Sequence, residues 1–288
     1  MFPYGWFLAI TFVAAVVNGA LGYGFSSITV PLALLFTSTR TLNPALVPIE
    51  VALNGYMLWV NRAAVPDVAR RIAPMVVGLV PGVVAGTLVI ATVSPDRLKL
   101  GTFALLLPLI LLQAGGVRRP LRSERAVGLP FGAGLGLLYS LTTISGPPLA
   151  LLFNNQGLAK REFRAALALV RLAEASLTAL AYAWAGLYSW SSGTLALTIL
   201  PGLLIGVPIG AWLIRQMDVE VFRRTCMSFD AWVVGFGLST LLRTLRIIEG
   251  PAAFSVLAAV IAIDAVLLYR FFSSQRRVGL SLSASPTR

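Results

Sequence analysis

Apolar residues occur in nine long runs that are separated by short polar stretches. The runs span roughly 3–36, 44–61, 72–93, 98–115, 126–153, 165–186, 194–214, 225–242 and 251–272. Most of them contain 18 to 22 residues, and a helix of that length, rising ~1.5 Å per residue, crosses a bilayer once. The pattern therefore predicts an all-α polytopic membrane protein.

The first and fifth runs are too long for a single crossing. The run 3–36 has 34 residues and contains Gly-Tyr-Gly at 22–24, and the run 126–153 has 28 residues and contains Ser-Gly-Pro-Pro at 145–148. Glycine and proline together disfavour a continuous helix. We therefore predict that each long run is a helix, a turn inside the membrane and a shorter half-helix that returns.

The distribution of lysine and arginine supports this interpretation. If every run crossed once, the two sides of the membrane would carry 9 and 13 of these residues, almost without bias. If the first and fifth runs turn back, one side carries 17 and the other carries 5. Cytoplasmic loops carry an excess of basic residues. We therefore expect a multi-pass protein of the cell inner membrane, with its C-terminus in the cytoplasm and its N-terminus outside.

Two stretches of the chain repeat a glycine pattern. Glycines at 78, 82 and 86 recur at 202, 206 and 210, an offset of 124 residues. The stretch 30–36, Val-Pro-Leu-Ala-Leu-Leu-Phe, resembles 147–153, Pro-Pro-Leu-Ala-Leu-Leu-Phe, at an offset of 117. The predicted domains are an N-terminal repeat over 1–116, a C-terminal repeat over 117–250, an extra transmembrane helix over 251–272 and a disordered cytoplasmic tail over 273–288.

The two halves have opposite orientations in the topology with returning half-helices. Inverted repeats that meet at broken helices are the architecture of many secondary transporters. Close helix packing is the other explanation of the glycine spacing, because small residues let helix backbones approach each other in a bilayer. The predicted fold is thus two inverted-topology repeats with broken or re-entrant helices, plus one extra C-terminal helix.

Composition narrows the function classes further. Apolar residues make up 57% of the chain and charged residues only 12%, too few charges to cover the surface of a soluble enzyme. The net charge of +12 lies in short basic clusters between apolar runs, so we expect no nucleic-acid partner. Histidine is absent and Cys226 is the only cysteine. The sequence therefore predicts no metal site, no cofactor and no enzyme, and it carries no ATP-binding GxxxxGK[ST] motif.

Two signatures, one in each half, resemble those of the sulfite exporter TauE/SafE family. The first is Gly19-x-x-Gly22-x-Gly24 followed by Val30-Pro31-Leu32, and the second runs from Gly136 through Ser145-Gly146-Pro147-Pro148-Leu149. The resemblance covers about residues 5 to 272, and Phe25, Ser26 and Ser27 stand where the family often has further glycines. It implies an integral membrane protein that moves sulfur-containing or organic anions such as sulfite, sulfoacetate and related sulfonates.

Two predicted half-helices would present their N-termini inside the membrane, near Phe25 and near Gly146. The unpaired N–H groups and the positive end of the helix dipole at such termini bind anions. The predicted substrate-binding residues are Arg171, Asn18, Gly24, Phe25, Ser26, Ser27, Asn54, Tyr139, Thr143, Ser145 and Gly146. The alternative is that the serine and threonine hydroxyls only cap their helices.

Five ionisable residues lie within the apolar runs, where charge is costly: Glu50, Arg171, Glu174, Asp230 and Asp264. The guanidinium of Arg171 offers five fixed donors, which suits an oxyanion. Arg171 and Glu174 are three residues apart on one helical face, so a structural ion pair between them is the alternative. Glu50 is either a proton carrier or a partner for Arg171, and Glu174 is a second candidate proton carrier.

Together these features predict a secondary transporter for a small anion, namely sulfite, an organosulfonate such as sulfoacetate, or a related organic acid. Access to the site would alternate as one inverted half moves against the other. A passive anion channel of the same fold is the alternative. The expected partners are a small anionic substrate and the lipid bilayer; the anion, the direction of transport, the coupling ion and the formation of a homodimer are left open.

Overall fold

A computed structural model describes residues 3–115, 124–217 and 219–283, and the described residues form helices and no strand. The α-helices are α1 (Pro3–Leu21), α2 (Phe25–Ala33), α3 (Thr39–Val60), α4 (Val65–Thr92), α5 (Pro95–Ala114), α6 (Glu124–Thr142), α7 (Gly146–Asn155), α8 (Lys160–Trp184), α9 (Trp190–Leu213), α10 (Val219–Thr244) and α11 (Ser255–Ser283). Short 3₁₀ turns, Arg62–Ala64 and Gly250–Phe254, precede α4 and α11.

Five helical stretches within the described residues are long and apolar enough to cross a membrane. They are Arg62–Thr92, Arg161–Trp184, Trp190–Leu213, Glu220–Thr244 and Gly250–Ser273, and shorter apolar helices span Gly5–Leu21 and Val127–Thr142. Large apolar side chains such as Leu180, Trp190 and Leu204 point outward, as lipid-facing residues do. The prediction of an all-helical polytopic membrane protein is confirmed.

Both breaks that the sequence predicts are present. The first separates α1 from α2 at residues 22–24, and Gly24 there has a φ of 104°, which glycine adopts without a steric penalty. The second separates α6 from α7 at residues 143–145, and two prolines stand in the first turn of α7, where a missing N–H costs nothing. Helix α2 packs against α1.

The glycine ladders lie where helices of different halves pack against each other. Helix α1 packs along α9, and α4 packs along α6. A Cβ added at Gly82 of α4 would lie 2.0 Å from the carbonyl oxygen of Ala133, and one at Gly210 of α9 would lie 1.9 Å from that of Val16. The glycines therefore allow backbone contact that no side chain would tolerate. The first helix of each half is thus fitted to the fourth helix of the other half.

Buried apolar side chains form two main cores that do not coincide with the sequence halves. The first core joins α1, α2, α3, α5, α9 and α10, and the second joins α4, α6, α7 and α8. A smaller cluster around Tyr139 and Tyr182 contains helices of both groups. We refer to these groups as the first and second helix groups.

The C-terminal region differs from its predicted form. The sequence predicts a disordered tail over 273–288, whereas α11 continues as a helix to Ser283. No proline interrupts the chain between Pro251 and Pro286, which allows the helix to continue. Residues 284–288 lie outside the described residues, as does most of the basic loop at 116–125 with the predicted boundary between the repeats.

Candidate functional site

A buried carboxylate on α3 is the centre of a polar cluster. The guanidinium of Arg171 donates from Nη2 to Oε2 of Glu50 at 2.9 Å. The Tyr139 hydroxyl donates to the same oxygen at 3.2 Å, and the Ser26 hydroxyl donates to Oε1 at 2.5 Å. Because all four side chains are buried, these contacts replace the water that would otherwise solvate the charges.

Four helices bring these groups together. Ser26 lies in the first turn of α2, directly after the first break, and Tyr139 lies in the last turn of α6, directly before the second break. Glu50 and Arg171 lie in the middle of α3 and α8, which pack against each other. The Glu50–Arg171 ion pair therefore connects the first helix group to the second.

A second buried carboxylate lies one turn from Arg171 on α8. Oε1 of Glu174 accepts a hydrogen bond from the hydroxyl of Ser145, the residue that precedes α7. Its other oxygen, Oε2, is buried and has no hydrogen-bond partner among the described residues. Each half-helix thus begins beside a serine that donates to a glutamate on the long helix that follows it.

The sequence contains a signal for this symmetry. Glu50 and Glu174 are 124 residues apart, the same offset that relates the two glycine ladders. The residue 124 positions before Arg171 is Val47. The first half therefore has no arginine equivalent to Arg171, and one guanidinium is available for the two glutamates. Of the two partners that the sequence offers for Arg171, the structure pairs it with Glu50.

The start of α7 touches the first break. A Cβ added at Gly146, the first residue of α7, would lie 3.3 Å from Cβ of Tyr23, which stands in the first break. Gly24 and the fully buried Phe25 follow at the start of α2. The first residue of α7 therefore lies against the break that precedes α2.

The guanidinium of Arg171 retains donors that nothing in the described residues uses. Its side chain is only 3% exposed, and its Nε and Nη1 atoms have no hydrogen-bond partner there. Buried donors without acceptors are costly. A site with a cation, free donors and two helix N-termini is chemically suited to an oxyanion.

Other predicted site residues are buried without joining the cluster by a hydrogen bond. Both amide atoms of Asn18 and the Nδ2 atom of Asn54 have no partner among the described residues. Ser27 is buried in the first turn of α2. The hydroxyl of Thr143 donates to the carbonyl of Thr142 at 2.7 Å, and the N-cap residues of α2 and α7 make no side-chain capping hydrogen bond among the described residues.

Two residues that the sequence did not single out hold the end of α6. The Asn43 amide donates from Nδ2 to the carbonyl of Leu141 at 2.7 Å, and the Tyr182 hydroxyl donates to the carbonyl of Ser140. The last carbonyls of a helix have no partner within the helix. These side chains therefore stabilise the second break and, with it, the position of Tyr139.

A separate buried ion pair joins the last two helices. Arg224 of α10 donates from Nη2 to Oδ1 of Asp264 on α11 at 2.7 Å, and the Ser228 hydroxyl donates to the same oxygen at 3.2 Å. The sequence assigned Arg224 to a loop, although it lies inside α10. Asp230, the remaining buried acid, has an Oδ1 atom without a partner among the described residues and makes no contact with the cluster that would give it a role.

Membrane-spanning helices that enclose charged side chains where two broken helices meet define a polytopic membrane transport protein. The chain belongs to the sulfite exporter TauE/SafE family, whose sequence model matches residues 7–237. This match confirms the resemblance of the two signatures and places the chain in a family of membrane exporters rather than enzymes.

A relative is found among curated proteins. The chain is 28% identical over 179 residues to a probable sulfite/organosulfonate exporter TauE of Cupriavidus necator, and the match covers 60% of this chain and 68% of that protein. No solved structure gives a significant match to the chain.

Proposed function

We propose that the protein is a secondary transporter that binds a small anion between the starts of α2 and α7, beside Arg171. The observation that carries the proposal is the buried guanidinium of Arg171, which has two donors without a partner among the described residues and is linked through Glu50 to Ser26 in the first turn of α2. The relative's description as a sulfite/organosulfonate exporter supports sulfite, an organosulfonate such as sulfoacetate, or a related organic acid as the substrate.

The proposed site recognises the anion through directional donors. Arg171 supplies charge and fixed N–H groups, and the first-turn amides of α2 and α7 supply the dipole ends. The hydroxyls of Ser26 and Ser145, which now donate to glutamates, turn toward the anion. Glu50 or Glu174 carries the coupling proton, as the sequence predicts.

The moving parts of the proposed transport cycle are the two helix groups. Motion of one sequence half against the other would have to separate the close glycine contacts of α1 with α9 and of α4 with α6. Motion of the first helix group against the second leaves both contacts intact. The Glu50–Arg171 ion pair connects the first helix group to the second. An anion that binds Arg171 therefore changes a contact between the two groups that move.

The inverted arrangement of the repeats and their orientation in the inner membrane are parts of the same proposal. Counting Arg224 as buried lowers the cytoplasmic total of basic residues only from 17 to 16, against 5 outside. The bias that supports a cytoplasmic C-terminus and an outer N-terminus therefore persists.

The burial of the cluster favours a transporter over the alternative, a passive anion channel. Ser26, Glu50, Ser145, Arg171 and Glu174 are each at most 2% exposed. Such enclosure suits the occluded state of an alternating-access cycle, whereas a channel conducts through an open path.

A binding measurement on purified protein in detergent tests the proposed function. Thermal unfolding would be followed with sulfite, sulfate, thiosulfate, sulfoacetate, taurine, phosphate and simple carboxylates. A ligand at about 100 times its Kd stabilises the folded state by about 2.7 kcal/mol. We expect selective stabilisation by sulfite or a sulfonate, and saturable flux of that anion in proteoliposomes.

Arg171→Lys and Arg243→Ala are the matched variants for this experiment. Arg171→Lys retains the charge but removes the fixed donors, so it should abolish most of the stabilisation. Arg243 is exposed at the end of α10, and its replacement should leave the stabilisation intact. If no anion stabilises the wild-type protein, or if Arg171→Lys responds like the wild type, the proposed site is wrong.

A further inference from the structure

We infer that the carboxylate of Glu50 occupies the place of the transported anion on Arg171 and takes up one proton when a monoanion displaces it. The inference rests on the proposed anion site and adds three statements to it. They concern the carboxyl that carries the proton, the number of protons carried with each anion, and the charge of the anion that the site accepts.

The first step is the inventory of charge around Glu50. Of the helices packed against α3, α2 and α9 contain no ionisable side chain. The titratable side chains that face the cluster are Tyr139 on α6 and Arg171 and Glu174 on α8. The ionisable residues of α5 lie in its first turns, where Asp96 and Arg97 are exposed and Lys99 is half-buried. Arg171 is therefore the single cation that contacts this carboxylate among the described residues.

The second step is the competition for that cation. The Nη2 atom of Arg171 binds Glu50. An oxyanion that accepts two parallel hydrogen bonds from the guanidinium must accept one of them from this atom. The Glu50 carboxylate then loses its cation while it remains buried. An uncompensated buried carboxylate costs far more than a protonated one, so the displaced carboxyl takes up a proton.

The third step is the charge balance of the exchange. A monoanion adds one negative charge to the buried site, and one proton on Glu50 removes it. A dianion adds two negative charges, of which the protonation of the displaced Glu50 offsets one, and no second cation within the described part of the chain contacts the cluster. The site therefore favours monoanions, such as hydrogen sulfite and sulfonates without a second acidic group, over dianions such as sulfate and, among the proposed substrates, ionised sulfoacetate.

Glu174 provides an internal control because it is the repeat-equivalent carboxyl without a cation of its own. Its hydrogen-bond partner is the Ser145 hydroxyl, and Val47 stands where the repeat would supply a second arginine. An anion that binds Arg171 therefore breaks the ion pair of Glu50 but no ion pair of Glu174. Replacing Glu174 should therefore leave the uptake of the proton intact.

The test is isothermal titration of the purified full-length protein with methanesulfonate, a monoanion that stays ionised near neutral pH. Titrations in two buffers with different ionisation enthalpies measure the protons taken up from the buffer. We expect about one proton per bound methanesulfonate at pH 7, and binding of sulfate that is weaker by about tenfold or more, since an uncompensated buried charge is costly.

Three variants assign the proton to its carboxyl. Glu50→Gln should bind methanesulfonate without proton uptake, and Glu174→Gln and Glu50→Asp should both keep the uptake of about one proton. The wild-type titration tests the inference by itself if Glu50→Gln fails to fold.

The outcomes separate the inference from the proposed function. Binding of methanesulfonate without proton uptake, or uptake that persists in Glu50→Gln, overturns the inference while the anion site stands. Sulfate that binds as tightly as methanesulfonate overturns the charge selectivity. If methanesulfonate and the anions of the stability panel all fail to bind, the proposed function falls and the inference falls with it.

Discussion

Single residues at the two breaks adopt backbone conformations that ordinary side chains avoid. In the first break Gly22 and Gly24 have φ values of 82° and 104°, and in the second break Thr143 has a φ of 55°. Left-handed backbone is strained for a β-branched residue. The second break is thus held by its surroundings, among them the hydrogen bond from Thr143 to the carbonyl of Thr142.

We expect Gly24→Ala to lower the free energy of unfolding by about 1–2 kcal/mol, because an L-residue in left-handed backbone costs that much. The new methyl group would also lie 3.2 Å from Cγ1 of Val17. Gly134→Ala is the control, since Gly134 lies on the exposed side of α6 with nothing within 4 Å of the added Cβ. Thermal unfolding in detergent compares the two, and equal midpoints would contradict the expectation.

The residues of the site could be named from the sequence more readily than their contacts. A buried charge in an apolar run is conspicuous, so Glu50, Arg171 and Glu174 were all predicted. The choice of Glu50 as the partner of Arg171 depends on how α3 faces α8, which the pattern along one helix does not contain. The sequence does not predict the burial of Arg224, because this residue is the last one of the polar stretch 215–224. Its burial becomes evident from its ion pair with Asp264 of α11.

At the scale of elements, helix packing decides which substitutions are tolerated. Hydrophobic length and the glycine and proline positions predicted the helices and both breaks, because these are local properties of the chain. The glycine ladders predicted close packing, yet the identity of each partner helix is a property of the folded bundle. The ladder of α4 faces α6 and that of α9 faces α1.

We expect Gly82→Ala and Gly210→Ala each to lower the free energy of unfolding by about 1–3 kcal/mol, the usual cost of overpacking. The added methyl groups would meet the backbone of α6 and of α1 respectively, and backbone cannot rotate away as a side chain can. Gly101→Ala on α5, where nothing lies within 4 Å, should not destabilise. Unfolding by heat or by denaturing detergent measures all three, and a loss of stability in Gly101→Ala as large as in the others would refute this account.

At the scale of the whole molecule, α11 is an addition that lies beyond residues 7–237 of the family match. Much of its apolar surface faces outward. Its buried polar attachment is the ion pair of Asp264 with Arg224. A buried ion pair contributes little net stability, although removal of one partner is strongly destabilising.

We therefore expect Arg224→Ala to lower the free energy of unfolding by about 3–5 kcal/mol, because it leaves the buried Asp264 without its cation. The double variant Arg224→Met with Asp264→Leu should recover most of that loss, since it removes both charges. Neither residue belongs to the proposed anion site, so anion binding by the double variant should match that of the wild type. A double variant as unstable as the single one would show that the ion pair itself holds α11.

The pairing of α1 with α9 also affects how the protein is made. Thr11 of α1 lies against Gly202 of α9, and about 190 residues separate them in the chain. A ribosome that adds about 5–20 residues per second needs roughly 10–40 s to synthesise that interval. During this time the first helix resides in the bilayer without the surface to which its backbone is fitted. The pairing of α1 with α9 is therefore a late event of biosynthesis. Until then the insertion machinery must accommodate α1 without the glycine-lined surface of α9.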